Sequence, residues 1–311
     1  MSGRRLRVGV VGAGYFGRFH AQKVAGGARS VLVGVHDAVA ERAEALGAEL
    51  GAPGLGVPGL GLDDLIAASE AVVVASTAAT HHAVAAAALR AGRHVLVEKP
   101  VAATLAEADD LIGLAAAGGL VLQVGHLLRY SPERAAVVAR MATAKQGGAR
   151  LIECTRVAPF KPRGTDVSVV LDLMIHDIDM VLSLVEAPLV RVEAVGAVVL
   201  SGLPDLAHAR LDFADGTVAV LEASRVAPAL ARRMGVAGEG GYMTLDFTAR
   251  TLRVAGQEEV ADTWEAVDLI AAEHAAFAAA VLDGAPVLVD GAAGRRALAA
   301  ALAVEAAIRA G

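Results

Sequence analysis

Five polar residues interrupt the apolar run 169–185, and four of them, Asp172, His176, Asp179 and Ser183, fall at i, i+4, i+7 and i+11. On a helix that spacing stacks them in one narrow stripe, with Asp177 well off it. A solvent-facing stripe usually carries Lys, Glu or Arg, and this one carries none. An imidazole one turn from a carboxylate suits groups directed into a cavity. There His176 can exchange a proton near neutral pH, and Asp172 can orient it or support its cationic form.

Lysine is scarce; Lys23, Lys99, Lys145 and Lys161 are the only ones in the chain. Lys99 ends the strand-like run 94–97 and precedes Pro100, which restricts it to an extended or turn conformation. At the carboxyl end of a strand in an open parallel sheet, where ligands bind, its ammonium can stabilise alkoxide character on a substrate oxygen.

The third set is Gly12, Gly14 and Gly17, spaced G-x-G-x-x-G after the apolar run 8–11 and before a helical run at 18–25. Strand, glycine turn and helix in that order are the context a dinucleotide fingerprint requires. The first glycine permits the tight turn, the second lets backbone approach a pyrophosphate, and the third lets the helix pack on the strand. A second strand, 31–35, ends at Asp37, where a carboxylate can accept hydrogen bonds from the adenosine ribose. Asp37 would repel a 2′-phosphate and Ala38, Val39, Ala40 and Glu41 offer no cation, so NAD is expected over NADP. Arg42, a turn further along, could soften that preference.

The elements that must position these groups alternate between strand and helix from residue 7 to about 125, which predicts an α/β doubly wound parallel sheet. Thr104 and Glu107 form a capping-box pattern that starts one of its helices. After residue 125 the rhythm changes. A helix at 132–143, a strand at 151–157, a polar loop at 159–168 and the helix 169–185 lead into consecutive strands over 189–254. Tight turns between strands mean a predominantly antiparallel sheet and an α+β domain. Two alanine-rich helices, 268–283 and 291–310, finish the chain. The expected domains are 1–124 and 125–311, with the last helix able to pack back on the first. The Gly/Pro/Leu stretch 51–62 is expected to be a surface loop.

Bulk properties bound the function. A net charge of −6 argues against a nucleic-acid or anionic-membrane partner, and 55% hydrophobic residues with 20% charged ones mark a globular chain. Mean hydropathy is +0.54, yet the uncharged span 71–89 contains Ser76, Thr77, Thr80, His81 and His82 and reads as a strand followed by a helix. The first residues lead straight into the fingerprint with no signal-peptide apolar region, so a soluble cytoplasmic protein is expected. The single cysteine, Cys154, fits a reducing compartment and a core position. No metal is expected, because the Asp/His set lacks third and fourth ligands at metal spacing.

Four motifs together resemble the glucose–fructose oxidoreductase/inositol dehydrogenase/MocA (Gfo/Idh/MocA) family: residues 9–20 (GVVGAGYFGRFH), His81 with 91–100 (AGRHVLVEKP), 125–132 (GHLLRYSP) and 172–179 (DLMIHDID). The resemblance covers nearly the whole chain. It implies an N-terminal Rossmann domain, a C-terminal domain with an open sheet, and a homodimer or homotetramer built through that sheet. It places Lys99, Asp172 and His176 in catalysis. It places Gly12, Gly14, Tyr15, Phe16, Gly17, Asp37, Thr77, His81, Glu98 and Lys99 at NAD. Thr77-Ala78-Ala79 departs from the Thr-Pro-Thr that often precedes the family's helix histidine.

The run 169–179 (VVLDLMIHDID), with Arg156 and Arg163 before it, resembles the subgroup of UDP-N-acetylglucosamine 3-dehydrogenases. That implies a sugar or sugar-nucleotide substrate met by Lys99, His126, Arg129, Arg156, Arg163, Asp172 and His176. Other members oxidise inositols and free sugars or reduce keto-sugars, and fold alone does not choose. A catalytically idle NAD(H)-binding regulator on the same scaffold would be expected to lose Lys99, Asp172 or His176; all three are present.

Overall fold

The computed structural model describes residues 3–51, 61–143, 149–162, 164–165, 167–239, 241–256 and 261–310. Most of the 51–62 stretch and Arg163 therefore lie outside the described residues. In chain order the elements are β1 (Leu6–Val11), α1 (Tyr15–Gly26), β2 (Ser30–His36), α2 (Ala40–Leu50), α3 (Leu62–Ala68), β3 (Ala71–Val74), α4 (His81–Arg90), β4 (His94–Glu98), α5 (Leu105–Gly118) and β5 (Leu122–Gly125). They continue as α6 (Pro132–Thr143), β6 (Ala149–Val157), α7 (Ile175–Leu182), β7 (Leu189–Ala197), β8 (Leu206–Phe213), β9 (Val218–Ser224) and β10 (Ala231–Gly238). Last come β11 (Gly241–Asp246), β12 (Thr251–Val254), β13 (Asp262–Thr263), α8 (Leu269–Asp283) and α9 (Gly291–Ala310).

The chain forms two compact units, Met1–Leu127 with Asp268–Arg295, and Leu128–Val267 with Arg296–Gly311. Residues 268–295, which the sequence reading assigns to the C-terminal domain, thus belong to the first unit.

In the first unit a five-stranded sheet runs β2-β1-β3-β4-β5 with every pair parallel. All four residues of β3 are buried, as in a strand covered by helices on both faces. The order reverses between β1 and β3, which makes their carboxyl ends the ligand-binding switch point of a doubly wound sheet. α8 contributes Phe277 to the core formed by Leu6, Val8, Val10, Leu32 and Leu96. The expected capping box forms at α5: Thr104 Oγ1 accepts the Glu107 N–H at 3.2 Å, and Glu107 accepts the Thr104 N–H at 3.0 Å.

In the second unit eight strands run β13-β12-β11-β10-β6-β9-β8-β7, and only the β6–β9 pair is parallel. One face is core. Cys154, Ala209, Leu221, Met234 and Leu245 pack with Met174, Ile175 and Ile178, and with Ala297, Ala301 and Val304 of α9. Burial pushes the Cys154 thiol well above its usual range, which suits an inert core position. β10 has no counterpart in the sequence reading. Arg232, Arg233, Gly235 and Gly238 blunt its alternation, but pairing with β6 and β11 satisfies its backbone on both edges.

The expected 169–185 helix forms over 169–182 with a π turn inside it. Val170–Met174 is a π turn, in which the Ile175 N–H reaches the Val170 carbonyl, and Ile175–Leu182 is α-helical. Among the described residues no helix is long and apolar enough to cross a membrane.

Candidate active site

The glycine turn after β1 is built by close approach. Gly12 has φ +103°, and a Cβ there would lie 2.5 Å from the Ala75 carbonyl after β3. At Gly17 a Cβ would lie 1.8 Å from the Gly12 carbonyl, so α1 seats directly on the turn. Gly14 has nothing within 4 Å of its Cβ position, which leaves room beside the N-terminal N–H groups of α1 for a phosphate. Asp37 is locked to the same turn: Oδ2 accepts the Ala13 N–H at 2.7 Å and Oδ1 the Val39 N–H at 2.9 Å. Each carboxylate oxygen retains a further lone pair for a ribose hydroxyl. Tyr15 is 62% exposed and stacks edge-on with Phe16 and Phe19. These residues fit an NAD pyrophosphate and adenosine ribose.

After β3, Thr77 is exposed and opens a 3₁₀ turn, Ala78–Thr80. His81 is buried, with Nδ1 2.7 Å from the Pro100 carbonyl and Nε2 3.1 Å from the Ser76 carbonyl. It ties the Ser76 loop to the residue after Lys99. Lys99 is half-buried at the carboxyl end of β4 and joined to Pro100 by a cis peptide. The Glu98 carboxylate turns into the fold. Oε1 meets His20 Nε2 at 2.8 Å and Oε2 accepts the Lys99 N–H at 3.1 Å, so its side chain is engaged internally. His126, after β5, is buried.

In the second unit the polar stripe divides. Asp172, in the π turn, and His176, in the first turn of α7, are half-buried. π turns inside helices recur at functional sites. Asp179 is fully internal and accepts from Arg129 Nη1 at 3.2 Å, while Ser183 Oγ accepts from Arg134 Nε at 3.0 Å. Off the stripe, Asp177 forms a buried bidentate pair with Arg156, at 2.8 Å to Nε and 2.7 Å to Nη2. Arg156, expected at the substrate, is thus the internal anchor that fastens α7 to β6, and Arg129 is likewise bonded to α7.

The sequence reading overlooked Arg225. It is buried, donating to Asp205 Oδ1 at 2.8 Å and to the Gly164 and Val167 carbonyls at 2.6 and 2.9 Å. This clamp sets the loop that leads into Asp172. A Cβ at Gly164 would come within 3.0 Å of the Asp172 carboxylate. Also overlooked were Glu273 and His274, whose signal was available: they are the polar pair inside the alanine-rich apolar run 268–283.

Residues 6–126 match the profile described as the oxidoreductase family with NAD-binding Rossmann fold, and residues 134–244 match the Gfo/Idh/MocA C-terminal domain. The chain is 43% identical, over 98% of its length and 98% of the relative's, to UDP-N-acetylglucosamine 3-dehydrogenase of Acidithiobacillus ferrooxidans. The solved structure of that enzyme superposes with a TM-score of 0.90, covering 98% of both chains. Inositol 2-dehydrogenase 2 of Paenarthrobacter aurescens is 32% identical over 70% of this chain and 68% of the relative. The chain belongs to the Gfo/Idh/MocA family of oxidoreductases, with an NAD-binding Rossmann domain at its N-terminal end.

Proposed function

We propose that this protein is an NAD-dependent dehydrogenase that oxidises the C3 hydroxyl of UDP-N-acetylglucosamine. The observation that carries the reading is the 43% identity sustained over 98% of both chains with a UDP-N-acetylglucosamine 3-dehydrogenase, against 32% over 70% of this chain with an inositol 2-dehydrogenase. The retention of Lys99, Asp172 and His176 supports an enzyme over an idle binding protein.

Gly12, Gly14, Gly17 and Asp37 would hold NAD, which when bound supplies the hydride acceptor. His176 takes the hydroxyl proton as general base. Asp172, preceding it by four residues, orients the imidazole and supports its cationic form. Lys99 hydrogen-bonds the same oxygen and stabilises its alkoxide character as the C–H bond weakens.

With Arg156 and Arg129 committed to Asp177 and Asp179, the diphosphate falls to Lys161 and Arg163, which precede Asp172 in the sequence. The experiment is absorbance at the NADH wavelength with UDP-N-acetylglucosamine, other UDP-sugars, myo-inositol and glucose. Turnover confined to inositol or free sugars would reject the substrate assignment.

The solvent face of the second unit's sheet carries Val195 on β7 at 65% exposure and Val220 on β9, the two strands that flank β8. We propose it as the surface through which copies of the chain associate. A monomer by light scattering at micromolar concentration would reject that.

A further inference from the structure

The backbone of Lys99 rests on a buried set of ionisable groups. Glu98 on β4, His20 on α1 and Glu273 on α8 are all buried, and their donor atoms lie within 4.8 Å of one another. The two carboxyl groups differ sharply in surroundings. Both Glu98 oxygens accept hydrogen bonds, from His20 and from the Lys99 N–H. Among the described residues neither Glu273 oxygen has a hydrogen-bond partner, although that side chain is wholly enclosed. Two like charges so close in an enclosed site cannot both persist, and such pairs keep one proton between them. Hydrogen bonds to the charged form decide which member ionises, and here they all go to Glu98.

The neighbours agree with that division. Burial, and then the Glu98 charge, push Glu273 well above the usual carboxyl range. Burial opposes the Glu98 charge too, but His20 beside it, and after it the charge and N–H of Lys99, hold it below that range. Burial also drives His274 down to about 3, leaving it neutral. Its Nε2–H can then donate to His20 Nδ1 at 2.9 Å, and His20 Nε2–H to Glu98 at 2.8 Å. These tautomers are assigned from the network. The other groups facing the set are Gln123 on β5, whose amide donates to the Glu273 carbonyl, and Lys23 and Asp268, which act on His274. A metal ion joining the three side chains would have to displace a hydrogen bond of His20, to Glu98 or to His274.

We propose that Glu98 and Glu273 share one proton, carried by Glu273, and that the single charge left on Glu98 positions Lys99 and balances its ammonium. Glu98 and His20 are then positioning residues, and Glu273 is the acid that keeps the set at one negative charge. The inference rests on the reading that Lys99 works on the substrate oxygen, but its first test does not need activity.

Infrared spectra of the purified protein at pH 8 should show the carbonyl stretch of a protonated carboxylic acid. E273Q should abolish the band and E98Q should retain it. Absence of the band in the wild-type protein, or its loss in E98Q, overturns the proposal. So does a divalent metal retained at one equivalent per chain whose removal creates the band. Should E273Q fail to fold, the wild-type and E98Q spectra still decide. In turnover, E98Q should lower kcat by on the order of 10-fold with little change in NAD binding, and move the alkaline limb of the kcat profile down by roughly one pH unit. E273Q should leave that limb where it is. A wild-type limb in E98Q, or a displaced one in E273Q, also overturns it. An enzyme inactive on every sugar would undo the functional reading while leaving the infrared result intact.

Discussion

Arg156→Ala separates a structural cation from a substrate ligand. The guanidinium makes bonds of 2.8 and 2.7 Å to the two oxygens of Asp177, and the side chains are only 7% and 3% exposed. Truncation would leave Asp177 buried without its counter-charge on a helix that also carries His176. Breaking one side of a buried pair costs about 3–5 kcal/mol, a large share of the roughly 5–15 kcal/mol that stabilises a typical protein. At roughly 2–4 °C per kcal/mol for a domain of this size, the midpoint should fall by about 6–20 °C.

The assay is thermal unfolding by circular dichroism, with KM for the UDP-sugar measured on the folded fraction at low temperature. The double variant R156L/D177L should recover most of the loss, because well-packed apolar groups replace such a pair at little cost. A midpoint within about 2 °C of wild type, together with a KM raised by about 10-fold or more, would refute the reasoning and return Arg156 to the substrate.

Lys99→Met should lower kcat by on the order of 100-fold while leaving NAD affinity nearly intact, as loss of an oxyanion-type contact does; near-normal turnover removes Lys99 from the mechanism. Asp37 should give NAD a higher kcat/KM than NADP, and Asp37→Ser should narrow the gap; equal values for both cofactors in the wild type would contradict the role given to its carboxylate. His274 is neutral in the fold, at about 3 against an ordinary 6.5, so the unfolded chain binds the extra proton between those values. Stability should therefore fall as pH drops from 6.5 towards 3. His274→Gln, which keeps a donor for His20, should flatten that limb, and an unaltered acid limb would count against a buried neutral imidazole.

The Rossmann sheet was legible because its signals are local. Valine runs, glycine spacing and the Thr104–Glu107 cap each lie within a few residues, and the four motifs carried the family. What escaped the sequence depends on partners distant in the chain. The Asp172–Ser183 stripe presumes uniform helical pitch, but the π turn at Val170–Met174 alters it. Arg156 and Asp177 read as separate charges until β6 and α7 bring them together. β10 forms because β6 and β11 flank it, despite a sequence with little strand pattern of its own. Glu273, more than 170 residues from Glu98 in sequence, acquires meaning only when α8 packs within the first unit.

The most direct test of the functional account is the fate of the hydrogen on C3. UDP-N-acetylglucosamine carrying deuterium at C3 is incubated with the enzyme and NAD, and the recovered NADH is weighed by mass spectrometry. The account predicts NADH heavier by one deuterium, a UDP-sugar product that has lost the label, and neither in Lys99→Met at comparable times. Unlabelled NADH from that substrate, or NADH formed only with myo-inositol or a free sugar, would contradict it.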